Sequence, residues 1–243
     1  MVVFFTILLN FYEIEELTTS VITKNLNKAF YLNPSYLNQD KNNLLFFTYT
    51  NPYQLPSLNY FQLIGKFKKF GLLFQNLDYL FYNEGRLAFV YGGKIENFSY
   101  GFLPNFYYFK IEKDFDFFFI YHLGFSLDLK KLTFLLSLNN LNKPKIRKEE
   151  LSPKIIIGTD IKFIKNLNIN SFYLKTKDEE NYKIGFDFSL NENLSFGQEF
   201  SFLPFIINFK FDFLFKRHFG LFYLLNFHPQ LKETHLFTLY FQW

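Results

Sequence analysis

The side chains that could support catalysis or metal binding are few and scattered. The four histidines are His122, His218, His228 and His235, and none has the spacing of a zinc-binding helix motif. The sequence contains no cysteine, no nucleophile elbow, no phosphate-binding loop and no dinucleotide fingerprint. We therefore expect no catalytic site, no metal and no cofactor. Serine–histidine lipolysis stays open as a minor alternative, because serines and histidines are both present.

Composition narrows the class of protein. The chain has 243 residues and a net charge of +4, and its basic and acidic residues are interleaved throughout. No basic arm or stripe is present, so we expect no nucleic-acid partner. The absence of cysteine leaves the cellular compartment undecided. Aromatic residues make up 23% of the chain, with 39 Phe and 17 Tyr. Codon bias can explain that amount but not the positions of the residues.

Phenylalanines fall on alternate positions in several segments. From Phe205 to Phe215 the odd positions are apolar, whereas the even positions include Asn208, Lys210 and Asp212. The segment from Tyr182 to Leu190 alternates in the same way. A period of two is typical of strands with one apolar and one polar face. No stretch reaches the length of uncharged apolar residues that a transmembrane helix needs.

Turn residues between these segments allow the strands to be counted. The predicted strands lie near residues 43–50, 57–67, 70–78, 85–93, 97–109, 115–128, 132–140, 153–163, 167–176, 181–190, 193–202, 205–214, 218–227 and 234–243. Their lengths are compatible with tilted strands that cross a bilayer. The sequence therefore predicts an all-β fold, a transmembrane antiparallel barrel of about fourteen strands with a short N-terminal helical hatch.

The connections between the predicted strands alternate between tight and longer. Residues 66–69, 94–97, 129–132, 164–166 and 191–193 form tight connections, whereas residues 51–57, 79–85, 141–152, 176–181 and 227–234 form longer ones. The short connection at 202–205 is an exception. Membrane barrels have tight turns on the periplasmic side. With an even number of strands, both termini are then periplasmic.

The last predicted strand has a distinct pattern. Phe237, Leu239, Phe241 and Trp243 share one face. This strand resembles the C-terminal recognition strand of outer-membrane proteins, which implies the barrel-assembly machinery as a partner. An ordinary final strand of a soluble β-sandwich is the alternative, although a terminal Trp would be an exposed hydrophobe there.

Two motifs carry a more specific resemblance. The segment Ala29-Phe30-Tyr31-Leu32-Asn33-Pro34-Ser35-Tyr36-Leu37 resembles the Ala-x-x-x-Asn-Pro-Ala-x-Leu segment of the FadL-like outer-membrane transporters and their PorV/PorQ branch. The segment His228-Pro229-Gln230-Leu231-Lys232-Glu233-Thr234-His235 resembles the connection before the final strand in PorV/PorQ-like proteins. Ser35 departs from the usual Ala, and residues 18–21 depart from the usual Gly/Ala-rich stretch.

The resemblance implies a domain organisation. Residues 13–42 would form a hatch inside the barrel, with Asn33, Pro34 and Leu37 as its motif residues, and residues 43–243 would form the barrel. Ile14, Leu17 and Val21 recur at helical spacing, which predicts a short amphipathic helix. Pro34 favours an extended Asn33 and so ends that helix. Residues 1–12 are a candidate degenerate signal segment, or alternatively a structural strand.

Charged residues on the polar faces would line the lumen. The candidates are Lys183, Asp187, Glu199, Lys210 and Asp212. Side chains of both signs can pair across a barrel, and about fourteen strands enclose enough room to require a plug or a passage. A hatch together with paired charges would satisfy this requirement without any transport.

The tight connections are rich in basic residues. They contain Lys66, Lys68, Lys69, Lys94, Lys130, Lys131, Lys165, Lys216 and Arg217. These residues could contact anionic lipid headgroups or a periplasmic partner. Codon bias towards lysine in ordinary solvated turns is the favoured explanation.

Three functional hypotheses follow from the sequence. The first is a structural or secretion-associated barrel of PorV/PorQ type in the outer membrane of a Gram-negative-type bacterium, with outer-membrane lipid and secretion-system components as partners. The second is a FadL-type channel for long-chain fatty acids or other hydrophobic small molecules. The third is a soluble β-barrel or sandwich, in which the apolar faces would turn inward. Short outer loops and the His228–His235 motif favour the first.

Overall fold

A computed structural model describes residues 25–39, 42–146, 149–203, 205–215, 218–229 and 231–243. The predicted helix around Ile14 to Val21 and the candidate signal segment lie outside these residues. The described chain begins with helix α1 (Asn25–Tyr31) and a 3-10 helix (Pro34–Asn38). A second 3-10 helix (Pro52–Gln54) follows the first strand. No helix in this part of the chain is long and apolar enough to span a membrane.

Fourteen antiparallel strands form a closed barrel, which confirms the predicted fold class. The first seven are β1 (Leu44–Thr50), β2 (Leu58–Phe67), β3 (Phe70–Tyr79), β4 (Tyr82–Ile95), β5 (Phe98–Ile111), β6 (Asp114–Leu129) and β7 (Leu132–Asn139). A small hairpin of β8 (Lys145–Ile146) and β9 (Glu149–Glu150) lies outside the barrel sheet. The remaining barrel strands are β10 (Lys154–Ile164), β11 (Leu167–Lys175), β12 (Glu180–Asn191), β13 (Leu194–Phe202), β14 (Phe205–Phe215), β15 (Phe219–Phe227) and β16 (Thr234–Gln242).

Sequential neighbours pair around the barrel, and β1 closes it against β16. Leu44 pairs with Gln242 and Tyr49 pairs with Phe237. Two backbone hydrogen bonds between Asn43 and Trp243, of 3.1 and 3.2 Å, extend this closure beyond the strands. Closure removes every free sheet edge from the barrel wall, which is the condition for a sheet to cross a lipid bilayer.

The exterior of the barrel is apolar and the interior is mixed. In β1, Leu44, Phe46 and Thr48 face inward and are buried, whereas Leu45 and Phe47 face outward and are 43% and 48% exposed. The same alternation continues in β14. There Phe209 and Phe211 are exposed, and the alternating Asn208, Lys210 and Asp212 are buried. A soluble barrel buries its apolar faces, so the outward phenylalanines give this chain the surface of an integral membrane β-barrel.

The two ends of the barrel differ in their connections. We call the end where β2 joins β3 the turn end, and the end where β1 joins β2 the loop end. The prediction of a longer connection at residues 79–85 is wrong, because Leu80 and Phe81 form a two-residue turn and β4 begins at Tyr82. Glu112 and Lys113 form another short turn at the loop end. Tight turns therefore occur at both ends.

Candidate functional site in the barrel lumen

The segment from Asn25 to Asn38, here called the plug, fills the lumen on the turn-end side. The Asn33 side chain caps its 3-10 helix by accepting a hydrogen bond of 2.9 Å from the Ser35 backbone. Asn33 itself is extended, as the sequence predicted from Pro34. Pro34 then starts the 3-10 helix, where a missing N–H costs nothing. The Asn-Pro pair therefore fixes the sharp bend between α1 and the 3-10 helix.

Two asparagine side chains of the plug hold the barrel wall directly. Asn33 Nδ2 donates to the carbonyl oxygens of Phe125 and Leu136, both at 3.0 Å. Asn38 Nδ2 donates to the carbonyl of Gly93 at 3.0 Å and to that of Tyr100 at 3.2 Å. The first pair of acceptors lies across β6 and β7, and the second lies across β4 and β5. The plug is thus fastened to the wall at two places.

A row of three glycines makes room for the plug. Gly92, Gly101 and Gly124 are direct neighbours across β4, β5 and β6. A Cβ atom at Gly101 would lie 2.4 Å from the carbonyl carbon of Pro34, and one at Gly124 would lie 2.1 Å from Asn33 Oδ1. We call this row the glycine floor. Any side chain there would displace the 3-10 helix.

Side chains on the opposite wall hold the other face of the plug. Tyr36 donates to Asp160 Oδ2 at 2.6 Å, and Lys28 Nζ donates to Asn170 Oδ1 at 3.4 Å. Burial, reinforced by the Asp160 carboxylate, raises the pKa of the Tyr36 phenol well above its usual range. The phenol therefore stays protonated as a donor. Leu37, the third motif residue, is buried in the apolar core that the plug forms with the barrel wall.

Ser35 occupies the position where the resembling family has alanine. Its side chain is fully buried, and its hydroxyl has no hydrogen-bond partner among the described residues. An alanine would fit this site without a polar atom to desolvate. Serine therefore fits the docked plug, at the energetic cost of a buried hydroxyl without a partner among the described residues.

Arg86 lies between the plug and the part of the lumen towards the loop end. The guanidinium donates to the Phe30 carbonyl and to Asn105 Oδ1, both at 2.8 Å. The guanidinium carbon Cζ lies 4.9 Å from the ring centre of Tyr31 and 5.3 Å from that of Tyr107. The side chain is 1% exposed. Sequence reasoning missed this residue, because a single arginine within a strand carries no recognisable signal.

The five predicted lumen residues all lie on inward-facing positions of β12 to β14. Lys210 Nζ lies 2.6 Å from Asp187 Oδ2, and Asp212 accepts a hydrogen bond of 2.9 Å from Tyr240. Glu199 accepts a hydrogen bond of 3.0 Å from Asn208. Lys183 is buried on the same wall. This side of the lumen is a polar wall of paired side chains.

An apolar cluster lines the other side of the lumen towards the loop end. It consists of Leu58, Tyr60, Leu77, Tyr82, Tyr107, Phe109, Phe118 and Ile120 from β2 to β6. We call it the loop-end cluster. The rings of Tyr107 and Phe118 stack with centres 5.0 Å apart. Tyr53, Leu55 and Leu151 from the connections pack against it. The sequence analysis missed this cluster because its members are spread over five strands.

The predicted loop motif holds the connection between β15 and β16. His228 Nδ1 accepts a hydrogen bond of 3.2 Å from the Leu231 backbone, and the His235 ring lies 2.7 Å from the Tyr223 hydroxyl. Thr234 Oγ1 accepts a hydrogen bond of 2.8 Å from the Tyr53 backbone. Pro229 follows the first histidine on the surface. The Thr234 contact joins this connection to the one between β1 and β2.

The face predicted for recognition by the assembly machinery lies on the exterior at the seam with β1. It consists of Phe237, Leu239 and Phe241 of β16 and of Trp243, which follows that strand. Phe237, Leu239 and Trp243 are more than half exposed, and the rings of Phe241 and Trp243 stack at 5.3 Å. Within the described ranges, no group of three His, Asp or Glu side chains is placed to hold a metal ion.

Comparison with known proteins identifies the fold. The toluene transporter TbuX of Ralstonia pickettii matches with a TM-score of 0.64 at 6% identity, over 88% of this chain and 92% of that chain. The monoaromatic hydrocarbon channel CymD matches with a TM-score of 0.61 at 10% identity, over 93% and 97% of the two chains. The chain has the fold of these channels. The toluene transporter TodX of Pseudomonas putida matches with a TM-score of 0.57 at 8% identity, over 89% and 92%.

The likeness to these hydrocarbon channels is structural. No protein-family model matches the sequence, and no curated protein matches it. Identities of 6% to 10% show a shared barrel rather than a shared activity.

Proposed function

We propose that the chain is an outer-membrane channel that admits small hydrophobic molecules at its loop end. The loop-end cluster carries this proposal, because it places eight buried apolar side chains inside a lumen whose opposite wall is polar. A barrel that only needs to be filled can use paired polar side chains, as β12 to β14 do here. Convergent apolar and aromatic side chains are instead the usual lining of a small-molecule site.

The substrate class is argued from the lining and from the fold. Stacked rings such as Tyr107 and Phe118 favour flat apolar molecules, which stack on aromatic faces. The structural neighbours are described as monoaromatic hydrocarbon and toluene channels. Monoaromatic hydrocarbons are therefore our first candidate, ahead of the long-chain fatty acids of the sequence-based alternative. Long outer loops are not needed, because strand residues build the loop-end cluster.

The site of action follows from the surface. The apolar exterior requires a membrane, and barrels of this kind occupy the outer membrane of Gram-negative-type bacteria. We place the turn end, and with it the described C-terminus at Trp243, on the periplasmic side. We further propose that Phe237, Leu239, Phe241 and Trp243 are recognised by the barrel-assembly machinery.

A disulfide between the plug and the barrel wall tests whether movement of the plug controls the passage of substrate. The natural chain has no cysteine, and a Cβ atom at Gly92 would lie 3.1 Å from Asn38 Cγ. That distance is close to the separation of a sulfur from the opposite Cβ in a disulfide. In N38C/G92C, oxidation should fasten the plug to β4. We expect uptake of a labelled monoaromatic hydrocarbon by intact host cells to fall about tenfold on oxidation and to recover on reduction.

Controls give each outcome a meaning. The single variant N38C should respond to neither oxidant nor reductant. Equal uptake by the locked and reduced forms would show that the plug does not gate the channel. Uptake by wild-type cells no faster than by cells without the protein would reject transport itself.

A structural or secretion-associated barrel of PorV/PorQ type is the second candidate. The fastening of the plug by Asn33, Asn38 and Arg86 favours it, because these contacts would have to break for a gate to open. The connection from His228 to His235 is the feature that resembles that branch. In this case the expected result is no uptake in any redox state, together with capture of a secretion-system component through the loop end.

A further inference from the structure

Basic and acidic residues are distributed unequally between the two ends of the barrel. Lys68, Lys69, Lys130, Lys131 and Lys165 are exposed in the two-residue turns of the turn end. We call these five residues the lysine collar. Only Glu96 and Glu192 are acidic among the described two-residue turns at that end. Lys94, just before one of these turns, is neutralised by Asp128 at 2.8 Å.

Among the described residues, the loop end carries exposed charges of both signs in similar number. Its exposed acidic residues are Asp78, Glu112, Asp114, Glu150, Asp178, Glu179 and Glu180, and its lysines are interspersed with them. Lys175, for example, is paired with Glu180 at 2.6 Å. Exposed lysines therefore occur at both ends, and the ends differ in their acidic residues, which are few in the described turns of the turn end. The asymmetry is a property of the folded barrel.

The lysine collar lies directly at the border of the apolar exterior. Phe67, Leu129 and Phe163 next to the turns are 56%, 48% and 61% exposed. Lys68 Nζ lies 5.3 Å from the ring centre of Phe67, so this ammonium group lies against the edge of the apolar surface. Because the turns contain only two residues, the ammonium groups are held at the depth of lipid headgroups.

We infer that the lysine collar binds the phosphate groups of anionic phospholipids in the leaflet at the turn end. An ammonium group next to an apolar belt can contact a headgroup phosphate while the neighbouring phenylalanine contacts the acyl chains. At the loop end, carboxylates lie among the lysines and reduce the attraction of the same lipids. The collar would thereby fix the depth and the direction of the barrel in the membrane, a role separate from any passage through the lumen.

The single tryptophan provides a native probe of this site. Trp243 is the only tryptophan in the chain, is 52% exposed and lies at the turn end. It is joined to Asn43 by backbone hydrogen bonds, and the Asn43 side chain accepts a hydrogen bond of 3.0 Å from the backbone of Lys68. Quenching of Trp243 by brominated lipids therefore reports the lipids next to Lys68 and Lys69.

The experiment compares two brominated lipids in vesicles of phosphatidylcholine and phosphatidylglycerol. For the wild-type barrel, we expect brominated phosphatidylglycerol to associate near Trp243 about fivefold more strongly than brominated phosphatidylcholine, the effect of about one lysine at an anionic surface. In K68Q/K69Q the preference should fall to about one. Raising the salt concentration should weaken it in the wild type.

A matched variant separates local binding from total charge. K110Q/K113Q removes the same two charges from the loop end, where both lysines are exposed, and should keep the full preference. Equal quenching of the wild type by both lipids would overturn the inference, and would leave a protein partner as the use of the collar. An equal loss of preference in K110Q/K113Q would also overturn it. Quenching by either lipid reports membrane insertion independently of any transport result.

Discussion

Trypsin is expected to cleave after Lys28 about a hundredfold faster in Gly101→Ala than in the wild-type barrel. Lys28 is 6% exposed in the docked plug and is therefore protected. The new Cβ atom would lie 2.4 Å from the Pro34 carbonyl carbon and 2.5 Å from its oxygen. These are backbone atoms and cannot rotate away, so the 3-10 helix must leave the floor at a cost of about 3 kcal/mol. Cleavage that follows the undocked population rises by the corresponding factor.

Two further glycine variants frame this expectation. Gly124→Ala acts on the same segment, because its Cβ atom would lie 2.1 Å from Asn33 Oδ1 and 2.7 Å from the Pro34 nitrogen. Gly65→Ala is the matched control, since the nearest atom to its Cβ is Leu45 Cδ1 at 3.8 Å, an ordinary contact. All three should keep the heat-modifiable mobility of a folded barrel. Protection of Lys28 in Gly101→Ala would mean that the plug does not dock on the glycine floor.

Arg86→Leu is expected to lower the free energy of unfolding by about 3 kcal/mol. The substitution removes the donors to the Phe30 carbonyl and to Asn105 Oδ1, which are both buried. It also removes the cation between the rings of Tyr31 and Tyr107. Urea unfolding in detergent, followed by Trp243 fluorescence, measures the change.

Arg86→Lys provides the graded control. Lysine keeps the charge, but its single ammonium group cannot reproduce the fork that joins Phe30 to Asn105. We expect about half of the loss seen in Arg86→Leu. If Arg86→Leu unfolds at the same urea concentration as the wild type, the guanidinium does not hold the plug against the wall.

Much of the barrel could be predicted because each wall strand has an apolar outer face and a mixed inner face. In β14 the alternation of Phe209 and Phe211 with Asn208, Lys210 and Asp212 appears unchanged as exposed and buried positions. A period of two fixes which face of the sheet each residue occupies. The strand count and most strand bounds were therefore accessible from the sequence.

The turn between β3 and β4 shows where this reasoning fails. Leu80 adopts a positive φ of 48°, a conformation in which glycine or asparagine is expected. The predicted connection instead covered residues 79–85. Gly85 lies inside β4, where it pairs with Asn76 and Tyr108. A glycine is required there because the Tyr108 ring leaves no room for a side chain. A glycine required by tertiary packing inside a strand was thus placed at the boundary of a connection.

Most of the candidate site could not be predicted for the same reason, because tertiary packing forms it. The bend at Asn33 and Pro34 is local and was predicted. Gly92 and Gly93 both pair in regular register with β5, and a Cβ at Gly92 would meet Asn38. The partners of these glycines, like the members of the loop-end cluster, are far apart in the chain. Only the folded barrel brings them together.

The dependence of the folded chain on an amphiphile tests the central claim most directly, namely that the outward phenylalanines face lipid. The measurement is light scattering on the purified protein after size exclusion, with gel mobility compared before and after heating. We expect a monodisperse barrel with heat-modifiable mobility in detergent, and aggregation when the detergent is removed. A monodisperse, folded protein in plain buffer would contradict the account.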